Sequence, residues 1–438
     1  MVTKTDNTSK FAAGFKDYVS ANSGKTPKLF QNLRQTGWKR FHEVGLPTVK
    51  DEDWKYTNIA PLSELEFQIS SQFELTEENQ LKAYCDPSEI NIVFVNGVFS
   101  TKLSNLKNLP AGVKITSLAQ AVAASDPQIS TLLERHNLKN ADAFVALNHA
   151  LITDGAYIHI NDKVVVDRLI HIVHVVSSSN QGAIISPRSL ISMGKSSEAD
   201  VLESHISFSN ISYFTNALTD IFLAENANLR YCKTQDESTK AYHIGTTQAW
   251  LKRDSNFDSF SLSIGGILSR HNLNINLEET GANAILNGLY IVKDNQQVDN
   301  HTLVDHLPPN CTSNQFYKGI LNDDAHAVFN GKIFVHREAQ QTNSYQLNKN
   351  LLLGKGCRVD TKPQLEIFAD DVKCTHGATI GQLNEDEIFY LRSRAIPEKL
   401  ATKMLARGFV DDILNRIKNR SICEKLSKLL SANFEILK

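Results

Sequence analysis

The chain has no apolar run approaching the roughly 18 residues a spanning helix requires. Its opening, "MVTKTDNTSKFAAGFKDYVSANSGK", carries charges but no apolar segment of signal-peptide length, so a cytoplasmic protein with no membrane partner is expected. Its 6 cysteines (Cys85, Cys232, Cys311, Cys357, Cys374 and Cys423) form no CxxC and no close pair. A disulfide framework and a self-contained four-cysteine zinc site are therefore disfavoured, and reduced thiols are expected. Charge of one sign is missing too: the net value of −2 over 438 residues gives no basic field for nucleic acid. Enzyme signatures are also absent, with no P-loop, no GxGxxG after a strand, no GxSxG and no HExxH. The paired glycines Gly265-Gly266 lack a following Lys-Ser/Thr and read as a tight turn or close packing.

What is present changes texture along the chain. Residues 1–50 are helical and basic, with Phe11, Phe15, Tyr18 and Val19 at helical spacing and a second amphipathic piece ended by Gly45 and Pro47. In "DEDWKYTNIAPL", Trp54 and Tyr56 alternate like a short strand or dock on a neighbouring surface. "INIVFVNGVFS" predicts a hairpin around Asn96-Gly97, and 118–136 a helix broken near Pro127. Residues 1–150 thus form a helical and small α/β region.

Beyond 150, strand-like residues dominate. A tetrapeptide of the form x-small-x-apolar recurs at 198–201 (EADV), 226–229 (NANL), 254–257 (DSNF) and 281–284 (GANA), a step of 27 or 28 residues. Weaker echoes stand at 324–327 (DAHA) and 356–359 (GCRV), where longer steps imply insertions. One tight turn per unit at such a period marks a solenoid, and strand-rich units make it a parallel β-helix, expected over 151–383. An antiparallel sandwich, with turns every 8–12 residues or so, fits the period less well. Cys357 takes the small-residue place in its turn and is expected to be structural. From 384 to 438 helical periodicity returns, with Pro397 near a helix start. One apolar stripe runs through Ala406, Val410, Ile413 and Ile417, and a second through Ile422, Leu426, Leu429 and Leu430. These helices either cap the solenoid or hold a partner.

Three groups of residues could carry chemistry. His171 and His174 are three apart and so point to opposite faces of a strand, a poor ligand set. His301 and His306, with Asp299, Asp305 and Cys311, flank a turn that their side chains are expected to satisfy. Cys374 and His376 in "DDVKCTHGAT" share one strand face. Two ligands are fewer than the three or four that zinc or cluster iron takes, so a free-standing metal site here is disfavoured and one completed by another chain is chemically sensible. A nucleophile–base pair and a chemically inert pair remain open.

The run from about 299 to 394, including "AVFNGKIFVHREAQQTNSYQLNKN", "KCTHGAT" and "FYLRSR", resembles the SufD branch of the SUF iron–sulfur cluster assembly proteins, as does "EDWKYTNIAPL". The resemblance spans most of the chain, and "CTHGAT" separates it from the SufB paralogues. It implies a right-handed parallel β-helix between a helical N-terminal region and a helical C-terminal domain, and a non-catalytic scaffold. The implied partners are SufB, at the C-terminal end of the β-helix, and the ATPase SufC, at the C-terminal helices. ATP would then bind SufC rather than this chain. The resemblance further implies that Cys374 and His376 help hold iron or a nascent iron–sulfur cluster shared with SufB, and that Ala406, Val410, Ile413 and Ile417 serve SufC. Without SufB, a homodimer through the same end is expected. The competing readings are a carbohydrate-active β-helix enzyme, which the missing secretion signal and missing Asp or Lys/Arg cluster disfavour, and a self-associating structural protein.

Overall fold

The computed structural model describes residues 11, 15–16, 18–20, 27–64, 68–69, 75, 78–136, 141–177, 182–208 and 210–434. Its centre is a parallel β-solenoid with two sheets facing each other. One has ten strands, running outward from Ile90–Val95 and Ile170–Val176 through Glu198–Ser207 to Thr342–Leu352 and Val372–Gly381. The other has eleven and ends at Arg358–Ile367. From Glu198–Ser207 onward, strands alternate between the sheets in chain order, so each neighbour within a sheet lies one coil away. Between them runs an apolar stack that includes Val201, Leu229, Phe257, Leu286, Tyr317 and Phe329.

The coil repeat survives, with a shifted origin. Glu198 pairs with Asn228, Asn228 with Asn256, Asn256 with Asn283, Asn283 with Thr312, Thr312 with Asn343 and Asn343 with Lys373. The corner residues are therefore Ser196-Ser197, Asn226-Ala227, Asp254-Ser255, Gly281-Ala282, Asn310-Cys311 and Gln341-Thr342. The first of each pair is left-handed, at φ of 55, 57, 56, 75, 60 and 59° respectively. Short polar side chains and glycine tolerate that conformation, and the small second residue tucks under the coil. "EADV" thus starts two residues late, and "DAHA" and "GCRV" mark the opposite corner, since His326 pairs with Arg358. Cys357, partly buried there, donates to Asp323 O at 3.5 Å and packs on the central stack. Cys357→Ala is expected to cost about 1 kcal/mol or less in thermal denaturation, as loss of one partly buried sulfur would.

Helices cover both outer faces. Lys28–Val44 crosses Ala143–Leu151 so closely that a methyl on Gly37 would lie 2.5 Å from His149 Cβ. Ala143–Leu151 lies on Ile184, Phe214 and Ile244 of the eleven-stranded sheet. There Asn148 donates to Pro187 O at 3.0 Å and Asn216 O at 2.8 Å. The Trp54 segment forms a short 3₁₀ turn (Glu52–Trp54) rather than a strand. It docks on the same sheet, with the Arg270 guanidinium 3.8 Å from the centre of the Trp54 ring. The hairpin at Asn96-Gly97 forms as expected, with φ of 52 and 80°. Its strand Ile90–Val95 also pairs in parallel with Ile170–Val176, so the solenoid begins well before residue 151.

Glu398–Leu414 and Arg420–Phe434 do not cap the solenoid. They lie along the outer face of the ten-stranded sheet, on Leu262, Leu289, Phe316 and Ile320. Lys318 ties them down, donating to Phe409 O at 2.8 Å and pairing with Asp412 at 2.6 Å. The end of the solenoid is left uncovered by these helices.

Candidate functional site

At that end, Arg358–Ile367 and Val372–Gly381 are the terminal strands of their sheets, each bonded to a neighbour on one side only. Val372–Gly381 lies in register on Thr342–Leu352, with Cys374 opposite Ser344 and His376 opposite Gln346. Strand alternation therefore puts Cys374 and His376 on one face, as their spacing predicts. That face turns toward the inside of the last coil: Val372 and Cys374 pack against Ile333, Val335, Ala339 and Ala369. Cys374 is half-buried and His376 is exposed. Burial pushes the Cys374 thiol up from its ordinary value, while a backbone hydrogen bond from Ser344 opposes the shift. The thiol is therefore protonated and weakly reactive at neutral pH in this chain alone. Thiolate and imidazole can each bind iron, but only two such groups meet here, so their coordination sphere is open.

The surroundings are apolar where solvent would predict polar. Phe368, Ile380 and Ile367 are exposed around the end. The helix that follows the last strand, Glu385–Ser393, is capped by Asn384 but has no buried residue, and Phe389 is 72% exposed. A helix with no buried face gains no stability from tertiary packing, which is the main source of helix stability in proteins.

The other sequence-stated residues fall elsewhere. Ala406, Val410 and Ile413 are fully buried and Ile417 is half-buried, all packed inside this chain against the sheet. They therefore cannot be the surface a partner first meets. An apolar stripe specifies burial without naming what buries it. The outward side of the same helix instead shows Leu400 and Met404, 49 and 47% exposed.

His301 pairs with Asp299 at 3.0 Å, whereas His306 is buried and bonded to Ser313 at 3.0 Å. Their side chains satisfy local groups and do not converge. His171 and His174 do sit on opposite faces. His171 meets Ser204 at 2.9 Å, and His174 turns into the solenoid. Sequence spacing missed what His174 meets there, because its neighbours come from other coils.

The fold is thus a parallel β-solenoid with helical flanks and an open end that bears a thiol and an imidazole. The chain matches the SUF system FeS cluster assembly SufBD core domain over residues 174–409 and the SufBD protein N-terminal region over 5–172. It belongs to the SufBD family of iron–sulfur cluster assembly proteins. It is 31% identical over 418 residues to the Synechocystis iron–sulfur cluster assembly SufBD family protein slr0076, covering 93% of this chain and 92% of that one. To Escherichia coli iron–sulfur cluster assembly protein SufD it is 29% identical over 414 residues, 93% of each chain. The chloroplastic protein ABCI7 of Arabidopsis thaliana is 27% identical over 425 residues, covering 94% of this chain and 88% of that one. Family membership sets aside the carbohydrate-active reading.

Proposed function

We propose that this chain is a non-catalytic scaffold subunit of the SUF machinery, pairing with SufB through the open end of its solenoid and with the ATPase SufC through its C-terminal helices. The observation that carries the reading is the pair Cys374 and His376 on a strand with one edge unbonded. A partner strand added there would satisfy that edge and cover Phe368 and Ile380. It would also bring the further ligands that a nascent cluster, the cargo of the site, needs. Phe389 and Tyr390 on the uncovered helix extend the same surface. For SufC, the outward residues Leu400 and Met404 replace the buried stripe as the contact. ATP-driven movement of SufC would pull on helices latched to the sheet at Lys318 and so reach the solenoid end. In the absence of SufB, the same edges favour a homodimer.

The test is co-purification with SufB and SufC followed by anaerobic reconstitution. Cys374→Ser and His376→Ala should each leave the complex assembled while lowering its iron and sulfide by roughly tenfold or more, the order of effect expected for loss of a ligand. Unchanged iron and sulfide in both variants would refute the ligand role. Failure of the wild-type chain to form the complex would overturn the scaffold reading itself.

A further inference from the structure

The solenoid interior carries uncharged polar side chains toward its C-terminal end, among them Gln346, Asn348 and Asn350, and charged ones nearer its start. Here His174, Glu203, His205, Lys233, Glu237, His243 and His271 are all buried. His174 and His205 lie opposite one another on adjacent strands, one coil apart. Their rings stack with centroids 4.7 Å apart and planes 14° apart. Glu203 Oε1 stands 3.2 Å from His174 Nε2 and 4.0 Å from His205 Nε2. One nitrogen or oxygen from each of the three lies within 4.8 Å of the others.

Two details distinguish this group from ordinary buried polar packing. First, neither ring nitrogen of His205 makes a hydrogen bond, although the residue is only 1% exposed. A buried nitrogen left without a partner is costly, so a ligand for one of them is favourable. Second, Glu203 is already oriented by its neighbours. Its Oε2 accepts from Thr219 at 2.8 Å and from Tyr231, and Ser189 reaches Oε1 at 3.1 Å. Supporting hydrogen bonds of this kind are what hold a ligating carboxylate in place.

We propose that His174, Glu203 and His205 form an internal site for a divalent first-row transition ion, independent of Cys374 and His376. Two imidazoles and a carboxylate are a borderline donor set that suits zinc or iron(II) and leaves a position for water. The ion would staple strand Ile170–Val176 to Glu198–Ser207 in the charged stretch of the interior. Lys233, also buried, is the competing cation.

The inference does not rest on the scaffold reading, and its test removes the end site. The full chain carrying Cys374→Ser and His376→Ala would be produced with zinc or iron supplementation, and its metal counted by mass spectrometry. It would also be refolded with Co²⁺ and its absorption recorded. The expected result is close to one equivalent per chain, cobalt ligand-field bands without a thiolate charge-transfer band, and a higher melting temperature with metal. Adding Glu203→Gln or His205→Gln should lower the metal content at least tenfold, with circular dichroism reporting the fold. Metal absent from the parent protein under both loading conditions overturns the proposal. So does a thiolate band, or undiminished metal in a folded Glu203→Gln protein.

Discussion

Ile413→Asp is expected to lift Glu398–Leu414 off the ten-stranded sheet and lower stability by about 4 kcal/mol or more. Ile413 is fully buried among Ala406, Val410, Leu426 and the outer sheet residues Leu289 and Ile320. A carboxylate placed there meets an apolar face, and Lys318 of the sheet is already paired with Asp412. It must either stay protonated or force the helix into water, and both routes cost several kcal/mol. Removing the helix would bare a face that includes Leu262, Phe316 and Leu351, so the variant should aggregate on heating and become protease-sensitive at its C-terminal end. The control is Met404→Asp on the exposed side, which should change stability by about 0.5 kcal/mol or less and, on the scaffold reading, weaken SufC capture. Thermal denaturation and limited proteolysis check the first expectation, and pull-down checks the second. An unchanged melting temperature for Ile413→Asp would show that the helix is held by something other than this face.

The second large effect is expected at Asp220, where the N-terminal helices meet the solenoid. Arg188 is fully buried and reaches Asp220 Oδ2 through Nε at 3.1 Å and Nη2 at 2.7 Å. Its Nη1 donates to His149 Nε2 at 2.8 Å, which places the His149 proton on Nδ1, facing Val145 O at 2.8 Å. His136 completes the group at Asp220 Oδ1. Asp220→Ala leaves the Arg188 charge without its carboxylate, and breaking a buried pair in this way costs about 3–5 kcal/mol. The pH dependence follows. Burial alone would raise the Asp220 carboxyl, but the charges and hydrogen bonds of His136 and Arg188 hold it down at about 2. A carboxyl depressed in the fold stabilises fully above its unfolded value near 3.9 and loses that contribution as pH falls toward 2. Acid denaturation between about pH 4 and 2 should therefore flatten in Asp220→Asn relative to the parent, beyond what Glu203 contributes. Equal acid slopes would remove Asp220 from the account.

The solenoid was legible in the chain because each coil must supply a small residue and a left-handed one at its corner. Ala227, Ser255 and Ala282 record that demand. The origin of the repeat was less legible, because a coil can absorb an extra residue or two without losing its corner. Cys374 and His376 were legible as a same-face pair because strand alternation needs no partner to be read. The ties between His174, His205 and Glu203 were not, because they depend on register between coils about thirty residues apart, the length scale of the repeat itself. Likewise, Ile90–Val95 reads as half a hairpin, while its parallel partner lies far along the chain at Ile170–Val176.

The two ends of the solenoid are unequal. At the start, one sheet finishes in the two-residue antiparallel strand Val98–Phe99 and the other in the antiparallel strand Val113–Ser117. At the far end, two ten-residue strands stand open. A rod that is sticky at both ends polymerises, whereas a rod blunted at one end stops after a single union. On the scaffold reading, this asymmetry would let a solenoid with the strand-stacking geometry of fibrils enter pairs through one end without growing into filaments.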